Sequence, residues 1–269
     1  MKYNNLYEYL HLAVNASLSA GTKIMEVFNS GNFEVEQKTD HSPVTIADKA
    51  ASKIIEKLLN SSGLPYLSEE ETFSPFEERC KWGLFWCVDP LDGTKEFIRR
   101  NRDFTVNIAL IDGNVPILGV IYLPAFDCIY FGGTGIAARK FEGVKNASVS
   151  GIIENSVQLP LKRSNEKYLL LGSHSHLNDE TKAYFETIIE EKGSSNVETL
   201  IRGSSLKMCL LAEGLVDYYP RLSNIMEWDI AAGHAICESA GCKVTDWNGN
   251  KLIYNKPDFY MPWFKIRRT

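Results

Sequence analysis

From residue 104 to residue 141 the chain runs through β-rich stretches broken by short turns: FTVNIALID, GNVPILGVIYLP, DCIYFGG and GIAARKF. Val, Ile, Phe and Tyr fill the extended stretches and Gly or Pro punctuates them, so the segment reads as an antiparallel meander. Just before it, GLFWCV is a compact apolar strand that runs straight into DPLDGT. The second half alternates instead. YLLLGS, VETLIRG, VDYYPRL and CKVTD read as strands, separated by helical LNDETKAYFETIIEE, SSLKMCLLAEG and EWDIAAGHAICESAG. A half rich in helix and meander followed by an alternating half predicts two α/β lobes, residues 1–155 and 156–269, joined in the polar stretch 143–167.

The N-terminal half opens on two helices. Leu6, Leu10, Val14 and Leu18 recur every fourth residue, followed by Ile24 and Phe28, which predicts an amphipathic helix of about 25 residues. After the polar segment NSGNFEVEQKTDHSP, Thr45 precedes IADKAASKIIEKLLN, with Ile54, Ile55, Leu58 and Leu59 on one face. Thr45 and Asp48 have capping-box spacing. Composition excludes some partners. The net charge is −5 and no basic stripe is present, so a nucleic-acid polymer is not expected. KIRR near the C-terminus reads as a solvated tail. None of the six cysteines forms C-x-x-C, and Cys87, Cys128, Cys209 and Cys237 read as reduced core residues. There is no signal-like segment, and the longest apolar stretch, around 115–126, contains two prolines and is too short to span a bilayer. A soluble cytoplasmic protein is expected, with peripheral contact at the inner membrane left open.

Several short segments could carry chemistry. In VDPLDGTKEF, Asp89 sits at the carboxyl end of a buried strand, where α/β sheets place ligands. Asp89, the Leu91 carbonyl and Asp92 are hard oxygen donors of the kind Mg²⁺ prefers. Pro90 should block the ladder, and Gly93 should let backbone approach a ligand. A D-P-x-D-G turn explains the same letters. Glu69, in SEE, ends another strand. Asp229, in EWDIAAGHA, either caps a helix start or is a ligand, and His234 on that helix reads as a packed core residue. GSSLK opens a helix, so Ser204 or Ser205 caps it, or the serines and Lys207 seat a phosphate. HSH at 174–176 reads as a substrate loop or a structural element.

Taken together and in order, SPVTIAD, LSEE, DPLDGTKEFI, FTVNIALI, PILGVIY, GSSLK and WDIAAGHA resemble the lithium-sensitive, magnesium-dependent phosphatases of the inositol monophosphatase superfamily. The resemblance covers nearly the whole chain and is strongest to the bisphosphate nucleotidase branch. It implies an α/β (α+β) fold, a layered α/β/α/β/α sandwich. It implies that Glu69, Asp89, the Leu91 carbonyl, Asp92 and Asp229 hold two or three Mg²⁺ ions, with Asp89 bridging two of them. Thr94, backed by Asp48, would orient the attacking water, and Gly93, Thr94 and Lys95 would meet the scissile phosphate. Ser204, Lys207 and Arg221 fall where the nucleotide's other phosphate and sugar are held. Inositol monophosphatases carry an acid several residues before the final aspartate. Here PRLSNIMEWD places Arg221 in that region, and Glu227 stands too close to Asp229 to substitute.

The implied reaction is hydrolysis of the 3′-phosphate of 3′-phosphoadenosine 5′-phosphate by an activated water, with no covalent intermediate, clearing a by-product of sulfate assimilation. Inositol monophosphatase or fructose-1,6-bisphosphatase activity is the alternative on the same fold, and a nucleotide sensor without turnover is the alternative of another kind. The implied partner is a small phosphorylated nucleotide, and a monomer or homodimer is expected.

Overall fold

A computed structural model describes residues 5–38, 42–163, 167–174 and 178–269. Its organisation follows from strand geometry: successive side chains point to opposite faces of a sheet, so a strand apolar on every residue must be covered on both sides.

The chain begins with α1 (Leu6–Ser30), whose apolar stripe includes Leu10, Val14 and Ile24 and which Gly31 closes by donating its N–H to the Val27 carbonyl. A two-stranded hairpin, β1 (Glu36–Gln37) and β2 (Pro43–Val44), leads into α2 (Ile46–Leu59). The capping box is present: Ala47 N–H donates to Thr45 Oγ1, and Thr45 N–H donates to Asp48 Oδ2 at 2.8 Å.

The first sheet follows. Its strands are β3 (Tyr66–Ser68), then, after the short helix α3 (Phe76–Arg79), β4 (Leu84–Asp92). Helix α4 (Thr94–Ile98) separates β4 from the meander, which is β5 (Thr105–Asp112), β6 (Val115–Leu123), β7 (Cys128–Gly133) and β8 (Ile136–Glu142). Helix α5 (Val149–Asn155) leads to β9 (Val157–Gln158) at the sheet's far edge. Only β3 and β4 run parallel; the remaining neighbours are antiparallel, as the meander predicts.

The second sheet has the order β11-β10-β12-β14-β13. Strand β10 (Tyr168–Ser173) precedes α6 (Asp179–Lys192), and β11 (Val197–Arg202) precedes α7 (Leu206–Glu213). Strand β12 (Tyr218–Arg221), helix α8 (Glu227–Ser239), β13 (Cys242–Asp246) and β14 (Phe264–Arg268) complete it. The expected solvated tail KIRR is therefore a strand hydrogen-bonded on both sides, to β12 and to β13. Counting its charges hid its period of two: Phe264 and Ile266 are buried, while Arg267 between them and the terminus faces out.

Alternation sorts the core into layers. On β4 and β5, Trp86, Val88, Val106, Ile108 and Leu110 join the apolar cluster of α1 and α2. Phe85, Cys87, Ala109 and Ile111 instead pack with α7, α8 and the inner face of the second sheet, including Tyr219, Val244 and Phe264. The outer face of that sheet, with Leu170 and Tyr218, is covered by Phe185 and Ile188 of α6. The result is the α/β/α/β/α sandwich. Helix α8 lies directly on the first sheet because Gly119 has no side chain: a Cβ there would stand 2.1 Å from the Ala232 carbonyl oxygen. No helix among the described residues is long and apolar enough to cross a membrane.

Candidate active site

The alternation that layers the core also aims the acids. Asp89 is two residues beyond Cys87 on β4 and so faces α8. The ladder does not stop at Pro90, contrary to expectation. Asp89 pairs with Asn107 and Asp92 with Thr105, so β4 carries one extra residue in a bulge there. A bulge re-aims side chains, and this one accommodates the proline within the strand. Glu69 follows β3 and donates its backbone N–H to the Val88 carbonyl at 3.2 Å. Asp229 opens α8, and its Oδ2 accepts from Met226 N–H at 2.8 Å, so the helix-capping explanation holds for one of its oxygens. Glu69, Asp89 and Asp229 each bring a carboxylate oxygen within 4.8 Å of the others. Asp92 stands beside this group with Oδ2 engaged by Ser205 N–H at 2.7 Å, Ser205 Oγ at 2.9 Å and Asn107 Nδ2 at 3.4 Å.

Thr94 Oγ1 lies 2.9 Å from Asp48 Oδ1 and 3.2 Å from the Leu91 carbonyl oxygen. Asp48 is buried, and its other oxygen is held by Thr45 N–H at 2.8 Å and Thr45 Oγ1 at 2.5 Å. The capping box and the Thr94 contact thus use opposite oxygens of one carboxylate. Gly93 has φ of 92°, in the left-handed region. A Cβ there would lie 2.8 Å from the Asp103 carbonyl oxygen and 3.3 Å from Ser204 Cβ. Its close neighbour is thus another stretch of this chain.

Crowding four carboxylates in a buried space disfavours their charged forms. Burial first, and then Asp92 and Glu69, push the Asp229 carboxyl up to about 8. Burial, followed by Glu69, Asp92 and Asp229, raises Asp89 well above the ordinary range. Glu69 is raised by burial against the pull of Lys38, and Asp92 by burial against Lys207 and the Ser205 bonds. Asp89 Oδ2 is buried without a hydrogen-bond partner. A buried carboxylate oxygen without a partner, on a residue grouped with two other carboxylates, has the chemistry of a cation site, and an all-oxygen donor set suits a hard divalent ion.

Glu69, Asp89, Leu91, Asp92, Gly93, Thr94, Lys95, Ser204, Lys207, Arg221 and Asp229 line one cavity of about 330 Å³. Asp48 reaches it through Thr94. Lys207 and Arg221 are both buried, and Lys207 Nζ donates to the Ser204 carbonyl at 2.6 Å. Arg221 Nη2 donates to the Asn224 carbonyl at 3.2 Å, while its Nε is buried without a partner. Ser205, at the N-cap of α7, makes no side-chain cap bond, whereas Ser204 Oγ accepts from the first N–H of the helix, that of Leu206, at 3.4 Å. Ser205 Oγ turns instead to Asp92 and to the Asp229 carbonyl, the latter at 2.8 Å. Glu227 is fully buried and binds Asn255 N–H at 2.6 Å and Lys256 Nζ at 2.7 Å, away from the cavity lining. His234 is a core histidine bonded to the Tyr254 hydroxyl at 2.8 Å. His174 is exposed, and His176 lies outside the described residues.

Sequence reasoning missed two residues at the site, Lys38 and Asn107, and gave a third, Ser205, a different role. Lys38 Nζ spans Glu69 at 2.7 Å and Glu70 at 2.5 Å. It comes from a polar segment with no local pattern to mark it. Ser205 differed from Ser204 only in position. Asn107 was read as part of an apolar strand, where a polar residue flanked by Val106 and Ile108 was the available signal.

The model of the inositol monophosphatase family matches residues 5–263. The 3′(2′),5′-bisphosphate nucleotidase CysQ of Buchnera aphidicola is 42% identical over 258 residues, covering 94% of this chain and 90% of that protein. The enzyme of the same name from Escherichia coli K12 is 41% identical over 252 residues, covering 92% and 95%. The crystal structure of CysQ from Bacteroides thetaiotaomicron superposes with a TM-score of 0.88 at 41% identity, covering 97% of each chain. A Thermotoga maritima IMPase, at 23% identity and a TM-score of 0.74 over 97% of this chain and 92% of its own, shares the fold.

Proposed function

We infer the function from one premise: this chain belongs to the inositol monophosphatase family. It is a phosphatase of the 3′(2′),5′-bisphosphate nucleotidase type, which removes the 3′-phosphate of 3′-phosphoadenosine 5′-phosphate to leave AMP and phosphate. The reaction is metal-dependent, and it clears a by-product of sulfur assimilation. One observation carries the reading beyond family membership: two buried cationic side chains, Lys207 and Arg221, share a cavity with the Glu69–Asp89–Asp229 cluster. A substrate with a single phosphate on a neutral polyol has no group for the second cationic end. A bisphosphate does.

The ion in our reading is Mg²⁺, two or three per site, held by Glu69, Asp89, the Leu91 carbonyl, Asp92 and Asp229. When bound, it supplies Lewis acidity and offsets charge on the phosphate. This chain's own groups do the remaining work. Thr94 Oγ1 has its proton directed at Asp48 Oδ1, which leaves its lone pairs to accept from a water poised for in-line attack. Burial raises the Asp48 carboxyl above its ordinary value, so it is a better proton acceptor than an exposed aspartate. Gly93, Thr94 and Lys95 receive the scissile phosphate at the start of α4. Ser204, Lys207 and Arg221 hold the other phosphate and the sugar. Residues 1–155 thus provide the water-orienting pair and most ligands, and residues 156–269 provide Asp229 and the second-phosphate grip.

Initial rates on 3′-phosphoadenosine 5′-phosphate, inositol 1-phosphate and fructose 1,6-bisphosphate, measured side by side in Mg²⁺, test the assignment. The bisphosphate nucleotide should have the highest kcat/KM. A preference for inositol phosphate would overturn the role given to Arg221.

A further inference from the structure

We infer that Ser205 is a positioning residue for the cation-binding acids: with Asn107 it forms a hydrogen-bond junction that fixes Asp92 relative to the first turn of α8. The inference rests on reading the acid cluster as a divalent-cation site. Ser205 is buried, and both its backbone N–H and its hydroxyl reach Asp92 Oδ2, at 2.7 and 2.9 Å. The same hydroxyl lies 2.8 Å from the backbone carbonyl of Asp229. Its one proton therefore faces two acceptors, each belonging to a residue that contributes to the acid site. Its lone pair accepts from Asn107 Nδ2 at 2.9 Å.

The orientation of that amide is itself set. Thr105 Oγ1 donates to Asn107 Oδ1 at 3.0 Å, which turns the Asn107 NH₂ toward Ser205 and Asp92. Thr105 and Asn107 are two apart on β5, so both face α7 and α8, and both are buried. With Oδ2 of Asp92 engaged by three donors, Oδ1 is the oxygen left for a cation. Ser205 occupies the N-cap position of α7 yet makes no side-chain cap bond. Its hydroxyl serves the acids rather than its own helix, which separates this role from ordinary capping. The junction also links the site to Lys207, two residues along on the same helix. Outer partners of metal ligands set the geometry of the donors, and losing one typically weakens metal binding about 10- to 100-fold.

Calorimetric titration of Mg²⁺ into the full chain without substrate tests this, with nucleotide kinetics alongside. Ser205→Ala should raise the Mg²⁺ Kd about tenfold or more, while the nucleotide KM at saturating Mg²⁺ stays within about twofold. Thr105→Val keeps the shape but frees the Asn107 amide, and should raise the Kd a few-fold. Lys207→Met should show the reverse split, with a raised nucleotide KM and no weakening of Mg²⁺ binding. A Ser205→Ala protein whose Mg²⁺ Kd matches wild type would overturn the inference alone. Should that variant not fold, an unshifted Kd in Thr105→Val overturns it equally. Wild-type protein that binds no Mg²⁺ would remove the cation-site premise instead.

Discussion

Strands β4 and β5 send alternate residues to opposite sides of one sheet. Trp86, Val88, Val106, Ile108 and Leu110 go to α1 and α2; Cys87, Asp89, Thr105 and Asn107 go to α7 and α8. At these positions the first side is apolar, and it stabilises by burial, on the order of 1.5–3 kcal/mol for each large side chain. The second side, a few ångströms away through the same backbone, gathers carboxylates whose mutual repulsion and burial cost stability. Rigidity on one side is what allows strained electrostatics on the other. Asp89 is held in place by the β4–β5 ladder, and Trp86 and Val88 stabilise that sheet from behind.

The comparison breaks first at the acids. Asp89→Asn removes a charge and a proposed ligand oxygen while keeping the volume, and should lower kcat/KM by about 10³-fold or more, roughly 4 kcal/mol of transition-state stabilisation. The metal-free variant should melt at a higher temperature than wild type, because a buried like charge is gone. Trp86→Ala on the opposite side should do the converse. Denaturant unfolding should show a loss of about 3–5 kcal/mol, with kcat/KM of the folded protein within about twofold. If Trp86→Ala lowered activity as Asp89→Asn does, the two sides would not be separable.

A smaller effect tests the far end of the cavity. Arg221→Met should raise KM for the bisphosphate nucleotide about tenfold, the cost of one charge-assisted contact, and leave kcat nearly unchanged.

The smallest effect concerns pH. Asp229 has a carboxyl raised from 3.8 to about 8. Between those values the native state holds more protons than the unfolded chain, so stability falls as pH rises. The metal-free protein should therefore lose a few degrees of Tm between pH 5 and pH 8. Asp229→Asn should flatten part of that slope, and saturating Mg²⁺ should oppose it. A Tm that climbs with pH across this window in the metal-free protein would contradict the electrostatic picture.

What was legible in the sequence was what is local. The i+4 stripe of α1, the Thr45–Asp48 cap and the meander announce themselves within a few residues, and the structure contains each of them. The acids were legible as a family-like order of motifs, and Glu69, Asp89 and Asp229 do converge. What was not legible depended on tertiary direction. Ser204 has φ of 46°, and this turn gives Ser205, not its neighbour, to Asp92. Lys38 finds Glu69 and Glu70 across more than thirty residues. Asn107 sits inside a run whose apolar neighbours disguise the one face that needs to be polar. The Pro90 bulge depends on the register with β5, which no single strand reveals.

The most direct measurement is phosphate release from 3′-phosphoadenosine 5′-phosphate by chelator-stripped protein as Mg²⁺ is titrated back. Release should be lost in chelator and return with Mg²⁺ in wild type, and should stay at least about 10³-fold lower in Asp89→Asn at every Mg²⁺ concentration. Undiminished release in the presence of chelator, or full activity in Asp89→Asn, would show that the acids on the α8 side of the sheet are not the site of reaction.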